Sequence, residues 1–299
     1  MVVAVDRGRM TVRVEGPDGG SVDVTAMRAR ELGKHGVVVG DRVRLVGDTS
    51  GRADTLARIV AIEERTTSLR RTADDTDPTE RIVVANADLL VIVTAVTDPE
   101  PALGFIDRCL VAAYAGGLEP LLCLTKTDLG SPDALLRRYA GLSLEAVSIS
   151  RERPLDELVD RLAWRMSVFV GQSGVGKSTL VNRLVPDAFR ATGVVSKIGK
   201  GRHTSSSAVL FDLPDGGTVI DTPGIRSFGL AHVTADDVIE AFEDIAEAAT
   251  DCPPGCGHTA DDPECALDAW AAAGSPVRQQ QLAALRVLLG AVGQVGPGW

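Results

Sequence analysis

Residues 171–179 read GQSGVGKST. The stretch matches G-x-x-x-x-G-K-[ST], and its neighbours supply the context that motif needs. Apolar SVFV precedes it as a strand, and the amphipathic TLVNRL follows as a helix. Gly171, Gly174 and Gly176 let the chain turn tightly, so that backbone N–H groups of the loop, including those of Gln172, Ser173 and Val175, converge on phosphate oxygens. Lys177 adds a point charge on the β and γ oxygens. Ser178, followed by Thr179, offers its hydroxyl to Mg²⁺. A strand, a phosphate loop and a helix in that order belong to an α/β domain with a largely parallel sheet.

Downstream, DTPG at 221–224 closes the apolar run TVI. Asp221 at a strand end beside a phosphate loop suits Mg²⁺, and Gly224 can present its N–H to the γ-phosphate. The base-reading motif lies upstream. TKTD at 125–128 ends the apolar strand LLCL. The two oxygens of Asp128 can accept from the guanine ring N–H and the exocyclic amine together, whereas adenine would offer them an acceptor. Lys126 can lay its stem along the base, with Thr125 and Thr127 flanking it. SIS at 148–150 closes another strand, where backbone N–H groups around Ser148 and Ile149 can reach the guanine oxygen. Ligands of open α/β sheets sit beyond the carboxyl ends of strands. Order in space matters there, and order in sequence does not. Base motifs first and phosphate motifs second is therefore the order of a circular permutation, allowed where the usual termini lie close together.

The α/β pattern spans 81–232, beginning with the continuous apolar run ADLLVIVTAV at 87–96, which reads as a strand buried on both faces. Residues 1–72 read differently. Five short alternating strands separated by turns such as GPDGG at 16–20 make a small closed barrel, of oligonucleotide-binding type or of SH3 type. Polar RRTADDTDPTE at 70–80 reads as a linker. From Thr234 the chain turns helical, TADDVIEAFEDIAEAA opening with a T-x-x-D capping pattern and placing Val238, Phe242 and Ile245 on one face. Within 233–299, Cys252, Cys256, His258 and Cys265 form C-x3-C-x-H-x6-C. Three thiolates and an imidazole close a tetrahedral zinc shell with no open position, so one structural Zn²⁺ is expected. Cys109 and Cys123 sit alone in apolar surroundings, as small buried hydrophobes.

Hydrophobic residues make up 44% of the 299 and aromatics only 4%, so Val, Leu, Ile and Ala must build the core. The first residues, MVVAVDRGRM, lack a basic region followed by an apolar run, and no stretch approaches a membrane span, which requires about eighteen apolar residues. A cytoplasmic protein without a membrane partner is expected. Net charge is −10, yet residues 1–72 hold 13 Lys/Arg against 10 Asp/Glu. That basic surplus sits where a nucleic acid would meet the barrel, though an ordinary solvated face accounts for it equally well.

In order along the chain, the barrel, TTSLRR, ANAD at 85–88, FIDRCLVAA at 105–113, TKTD, the phosphate loop, GKGRHTSSS, DTPG and the Cys/His cluster resemble the ribosome small subunit-dependent GTPase A (YjeQ-like) family of circularly permuted GTPases. The resemblance implies a Mg²⁺-dependent GTPase that binds GTP and GDP, acts late in small-subunit maturation and contacts rRNA. It also implies an oligonucleotide-binding barrel in front of the GTPase domain, a helical zinc module behind it, and action as a monomer. It makes Thr204 the loop threonine that reaches Mg²⁺. Four departures stand out: Thr125 in place of Asn, Ile149 in place of a small residue, HTSSS in place of HTT, and a shifted cysteine spacing. Where many GTPases place a water-orienting Gln after D-x-x-G, Ile225 stands here. His203, beside Thr204, is the alternative; a histidine contacting RNA phosphates fits it as well. Two further readings stay open: a GTP-sensing RNA-binding module whose hydrolysis is incidental, and an ATP-dependent enzyme in which TKTD is accidental.

Overall fold

The computed structural model describes residues 1–6, 8–16, 18–32, 36–72, 79–142, 144–186, 208–222 and 229–292. Its centre is the sheet that the apolar runs predict. Strands β8 (Leu89–Ala95), β9 (Glu119–Thr125), β10 (Glu145–Ser148), β11 (Met166–Gly171) and β13 (Thr218–Asp221) are parallel, and β12 (Val209–Asp212) runs antiparallel to β13 at the edge. Across it the order is β10-β9-β8-β11-β13-β12.

Every residue of β8 is buried, because both faces are covered. Alternate side chains serve two cores. Leu90 and Ile92 of β8 join Leu122 and Leu124 of β9 and Val168 and Val170 of β11 beneath helix α1 (Leu103–Ala115) and the C-terminal helices. Leu89, Val91 and Val93 join Leu121, Cys123 and Phe169 beneath α3 (Asp156–Leu162) and α4 (Lys177–Leu184). Burial pushes the Cys123 thiol up to about 12, which leaves it an inert core group. Helix α2 (Asp133–Tyr139) joins the first core through Leu135 and Tyr139.

The front strands, β1 (Val2–Asp6), β2 (Arg9–Glu15), β3 (Ser21–Arg28), β4 (Val43–Gly47) and β5 (Ala57–Ile62), follow the order β1-β2-β3-β5-β4, with β3 and β5 parallel. Val2 N–H donates to Asp41 O at 2.8 Å, and Gly40 N–H to Val2 O at 2.9 Å, which closes the barrel. Five strands in this order are the oligonucleotide-binding arrangement rather than the SH3 one. From Ala4 onward the same edge of β1 turns to the GTPase sheet, where Ala4 faces Val209 of β12. Barrel and sheet are thus one run of eleven strands.

Three local expectations differ from the structure. Arg70 and Arg71 do not sit in a linker: they belong to β6 (Ser68–Arg71), a hairpin arm paired with β7 (Arg81–Ala85). Ser68 N–H donates to Gly116 O at 3.0 Å, so this arm is fastened to the end of α1. The run DELVDRLAWRM at 156–166, which reads in sequence as helical, leaves the helix after Leu162, and Trp164 takes a φ of 63° and turns the chain into β11. The helix from Thr234 keeps its capping box with Asp237 but breaks into α5 (Ala235–Ile239) and α6 (Glu243–Ala249). At the break Phe242 meets Tyr114 of α1, ring centroids 4.9 Å apart. Helices α7 (Ala266–Ala272) and α8 (Pro276–Val292) are the last described elements, α8 burying Leu285 and Leu288.

Candidate nucleotide site and metal centre

The phosphate loop leaves β11 through Gly171, where a Cβ would lie 2.6 Å from Val93 O, so only glycine lets these strands come together. It enters α4 through Gly176, the helix N-cap, at a φ of 94°. Between them Gln172 is half-buried, Ser173 and Gly174 are exposed, and Val175 is buried in the second core. Ser178 and Thr179 are exposed on the first turn of α4. Lys177 Nζ donates to Asp221 Oδ1 at the end of β13, and the two side chains are only 11% and 13% exposed. The two opposite charges thus neutralise one another. Thr222 Oγ1 donates to Phe169 O at 2.8 Å, which locks the DTPG start to β11. Hard oxygens from Ser178 and Asp221 suit Mg²⁺. His203, Thr204, Gly224 and Ile225 lie outside the described residues.

The base motifs meet this loop in space. Thr125 is buried, and its hydroxyl donates to Val175 O at 2.6 Å, with Thr94 O a further acceptor at 3.2 Å. The side chain that departs from Asn therefore ties the TKTD turn to the phosphate loop. Lys126, at a φ of 57°, donates to the carbonyl of Asp98. Thr127 bonds Ile149 O through its N–H at 3.3 Å and its hydroxyl at 3.2 Å, and Ile149 N–H donates to Leu124 O at 2.7 Å. Ile149 is buried, so its larger side chain belongs to the core. Ser148, ending β10, is half-buried, and Asp128 is exposed, free to meet a base. Sequence reasoning missed Arg183, which donates from α4 to Ser150 O at 3.0 Å and Arg153 O at 2.6 Å, holding the SIS loop beside the phosphate helix. One turn beyond the loop motif, it carried no pattern to mark it.

The four ligand atoms of Cys252, Cys256, His258 and Cys265 lie within 4.8 Å of one another. His258 Nδ1 is 3.4 Å from Cys252 Sγ and 3.9 Å from Cys265 Sγ, and the two sulfurs are 4.0 Å apart. Ligands at tetrahedral Zn²⁺ distances sit about 3.3–3.8 Å apart, so the cluster fits that ion with only small adjustment. Two N–H groups already point at sulfur: His258 N to Cys256 at 3.4 Å and Ala266 N to Cys252 at 3.3 Å. Behind the cluster, Arg286 of α8 donates to His258 O at 3.1 Å and grips Asp268 of α7 at 2.8 and 2.9 Å. Those bonds hold the Asp268 carboxyl below its usual range. An arginine so far along the chain from the histidine it supports gives no local signal.

A family profile described as the RsgA GTPase matches residues 62–231. The small ribosomal subunit biogenesis GTPase RsgA of Pseudomonas fluorescens is 41% identical over 264 residues, 85% of this chain and 74% of the relative. Its counterpart in Pseudomonas syringae pv. tomato is 38% identical over 92% of this chain and 84% of the relative. Among solved structures, YjeQ from Thermotoga maritima superposes with a TM-score of 0.68 at 25% identity, covering 98% of both chains. YloQ, a circularly permuted GTPase, gives a TM-score of 0.66 at 24% identity and bears on the fold alone. With base and phosphate motifs joined in space in permuted order, and with this likeness along most of its length, the chain belongs to the RsgA GTPase family.

Proposed function

We propose that this GTPase matures the small ribosomal subunit in the cytoplasm, as a monomer that docks on rRNA and is stimulated by the subunit. The observation that carries the nucleotide reading is the Thr125–Val175 bond, which joins the base loop and the phosphate loop into a single site. Asp128 and Lys126 read guanine, flanked by Thr125 and Thr127, while backbone N–H groups around Ser148 and Ile149 meet its oxygen. Residues 171–179 hold the phosphates, and Gly224 meets the γ-phosphate. Ser178, Thr204 and Asp221 would hold Mg²⁺, which would supply positive charge to offset that developing on the phosphates. GTP binding must first part Lys177 from Asp221, freeing the cation for phosphate. Ile225 cannot orient water, so His203 is assigned that task and basal turnover is slow. The Cys252–Cys256–His258–Cys265 set holds one structural Zn²⁺.

The outer face of the barrel supports the RNA reading. Registers align Arg9, Met27, Arg58 and Val46 in one row across β2, β3, β5 and β4, all four exposed. Strand spacing makes the row roughly 14–15 Å long. Alternating guanidinium and apolar groups match phosphates alternating with sugar and base faces. Neither Arg9 nor Arg58 pairs with a carboxylate among the described residues. Truncating the front of the chain would be a poor test: β1 is spliced to β12 and β6 to β7, so a cut at residue 72 breaks both. Substituting Arg9 and Arg58 by Ala is cleaner. GTP turnover measured against subunit and salt concentration should show strong stimulation that salt weakens. The double variant should need several-fold more subunit while keeping its basal rate. Unchanged stimulation in that variant would remove this face from the proposal.

Ile225 also favours a second reading, an RNA-binding GTP sensor whose hydrolysis is incidental. Turnover that stays slow at saturating subunit, with RNA affinity that follows the nucleotide, would favour it.

A further inference from the structure

We infer that Arg13, a barrel residue remote from the nucleotide, is a positioning residue for GTP chemistry. It holds the edge strand β12 and, through it, Asp221. The inference rests on the reading of Asp221 as the carboxylate that serves Mg²⁺.

The edge of β1 is divided between two tasks. Val2 closes the barrel on Gly40 and Asp41, while Ala4 faces Val209 of β12. Val209 in turn faces Asp221 of β13, and Asp221 faces Phe169 of β11. Only one strand therefore separates the barrel from the carboxylate that meets Lys177. Strand β12 is four residues long and has a single register pair with β1. At its far end, Arg13 supplies the remaining grip. Its Nη1 donates to Asp212 Oδ1 at 2.7 Å and Oδ2 at 2.9 Å, and its Nε donates to Asp23 on β3 at 3.2 Å. One guanidinium thus spans two barrel strands and the GTPase edge. Burial works against its charge, and the two carboxylates more than offset that.

An exposed pair of this kind contributes little to stability. Its consequence is registration. Asp212 faces Thr218 at one end of the β12–β13 ladder, and Val209 faces Asp221 at the other. With Arg13 in place, the antiparallel ladder is pinned at both ends, and Asp221 keeps its place opposite Lys177. Releasing one end lets β12 shift against β13, and displacement of a metal-binding carboxylate by about 1 Å is costly for chemistry, on the order of 10²-fold at most. The arrangement also gives the barrel a direct route to the phosphate end of the site.

The test uses full-length protein carrying Arg13→Ala, Asp212→Asn, both together, or Arg13→Lys. Two quantities are read: the Mg²⁺ concentration that half-slows release of a fluorescent GDP analogue, and kcat and KM for GTP. Thermal unfolding serves as the control, and Arg13→Gln replaces Arg13→Ala if the latter folds poorly. Each single variant should raise the Mg²⁺ requirement for slow release, by roughly tenfold, and lower kcat more than it changes KM. The double variant should be no worse than either single one, since both break the same contact. Arg13→Lys should recover part of the effect. Wild-type Mg²⁺ dependence in the Arg13 and Asp212 variants, or additive losses in the double variant, would overturn the inference. Asp221→Asn separates the two levels. If it alone raises the Mg²⁺ requirement, Asp221 keeps its role and Arg13 loses its own. If it too leaves that requirement unchanged, the reading of Asp221 fails, and the inference with it.

Discussion

The barrel is attached mainly by backbone: β1 pairs with β12 at one edge of the GTPase sheet, and Ala85 N–H at the end of β7 donates to Val39 O at 3.0 Å, with Asn86 Nδ2 adding a side-chain bond to Gly40 O at 2.9 Å. Gly40 has no room for a side chain, since a Cβ would fall 1.9 Å from Ala85 O. Asp41, fully buried, is gripped by Arg65 at 2.7 and 2.9 Å. The C-terminal helices are attached by side chains instead. Leu285 and Leu288 of α8 share a core with Ile106 and Leu110 of α1, and Phe242 meets Tyr114. Gly141, just after α2, lets the backbone at Gln280 come close. Backbone splicing transmits displacement along the ladder, whereas side-chain packing lets helices slide. The barrel edge lies one strand, β12, away from the strand that ends in Asp221, and the helices cover α1 and α2, which flank β9 and TKTD. Each appendage thus borders a different end of the proposed nucleotide site.

The sharpest way to break this contrast is at the Cys/His cluster. Cys256→Ser should remove zinc and expose α7 and α8 to protease, while nucleotide binding survives. Zinc contributes about 10–16 kcal/mol in small finger peptides, and the shared core with α1 should retain part of the attachment. Elemental analysis with limited proteolysis reads this out. A protease pattern like that of wild type would mean that packing alone holds the helices.

Next in size is the barrel's buried anchor. Asp41→Ala leaves Arg65 and the Val38 N–H without their acceptor, a loss of about 3–5 kcal/mol for a buried pair broken on one side. Urea unfolding should show the barrel coming free as a separate transition. A single unshifted transition would deny the anchor its weight.

Smaller effects separate the two ends of the nucleotide. Asp128→Asn replaces one acceptor with a donor, which suits xanthine better than guanine. Losing a charged hydrogen bond costs about 1.5–3 kcal/mol, so GTP should bind roughly tenfold or more weakly and xanthosine triphosphate better. Unchanged GTP affinity would exclude TKTD as the guanine reader. Thr125→Val strands the Val175 carbonyl at a cost of about 1–3 kcal/mol. It should weaken GTP and GDP alike, in a competition assay, without altering the choice of base. A change in base preference instead would place Thr125 among the base contacts.

Much of this was legible in the sequence because it is local. GQSGVGKST, TKTD, SIS and the cysteine cluster each fit within fourteen residues, and backbone geometry ties such spacings to one chemistry. The five barrel strands and the two-faced run of β8 follow from period-two alternation and its absence. What stayed hidden spans distance. Ala4 and Val209 are partners across 205 positions, and no property of either residue announces it. Arg13, Arg183 and Arg286 look like ordinary surface arginines until the fold brings their carbonyls and carboxylates to them. Residues 70–80 read as a linker because their polar composition outweighed the ends of two short paired strands. Thr125 reads in sequence only as a flank of the base motif, because the partner its hydroxyl bonds belongs to a loop fifty positions on.

The divided edge of β1 has a bearing on synthesis. A ribosome emits roughly 5–20 residues per second, so on the order of ten to forty seconds separate Ala4 from its partner Val209. The barrel strands emerge together and can close on Gly40 and Asp41 early, but the far half of the β1 edge must wait unpaired while the central strands appear. An open edge invites pairing with a neighbouring nascent chain. Here the exposure is kept brief in length: β1 is five residues long, its register with β2 shifts between Val2 and Ala4, and it ends in exposed Asp6. A short, irregular strand with a charged end is a poor template, so the splice that serves the finished GTPase is also built to be safe before it is made.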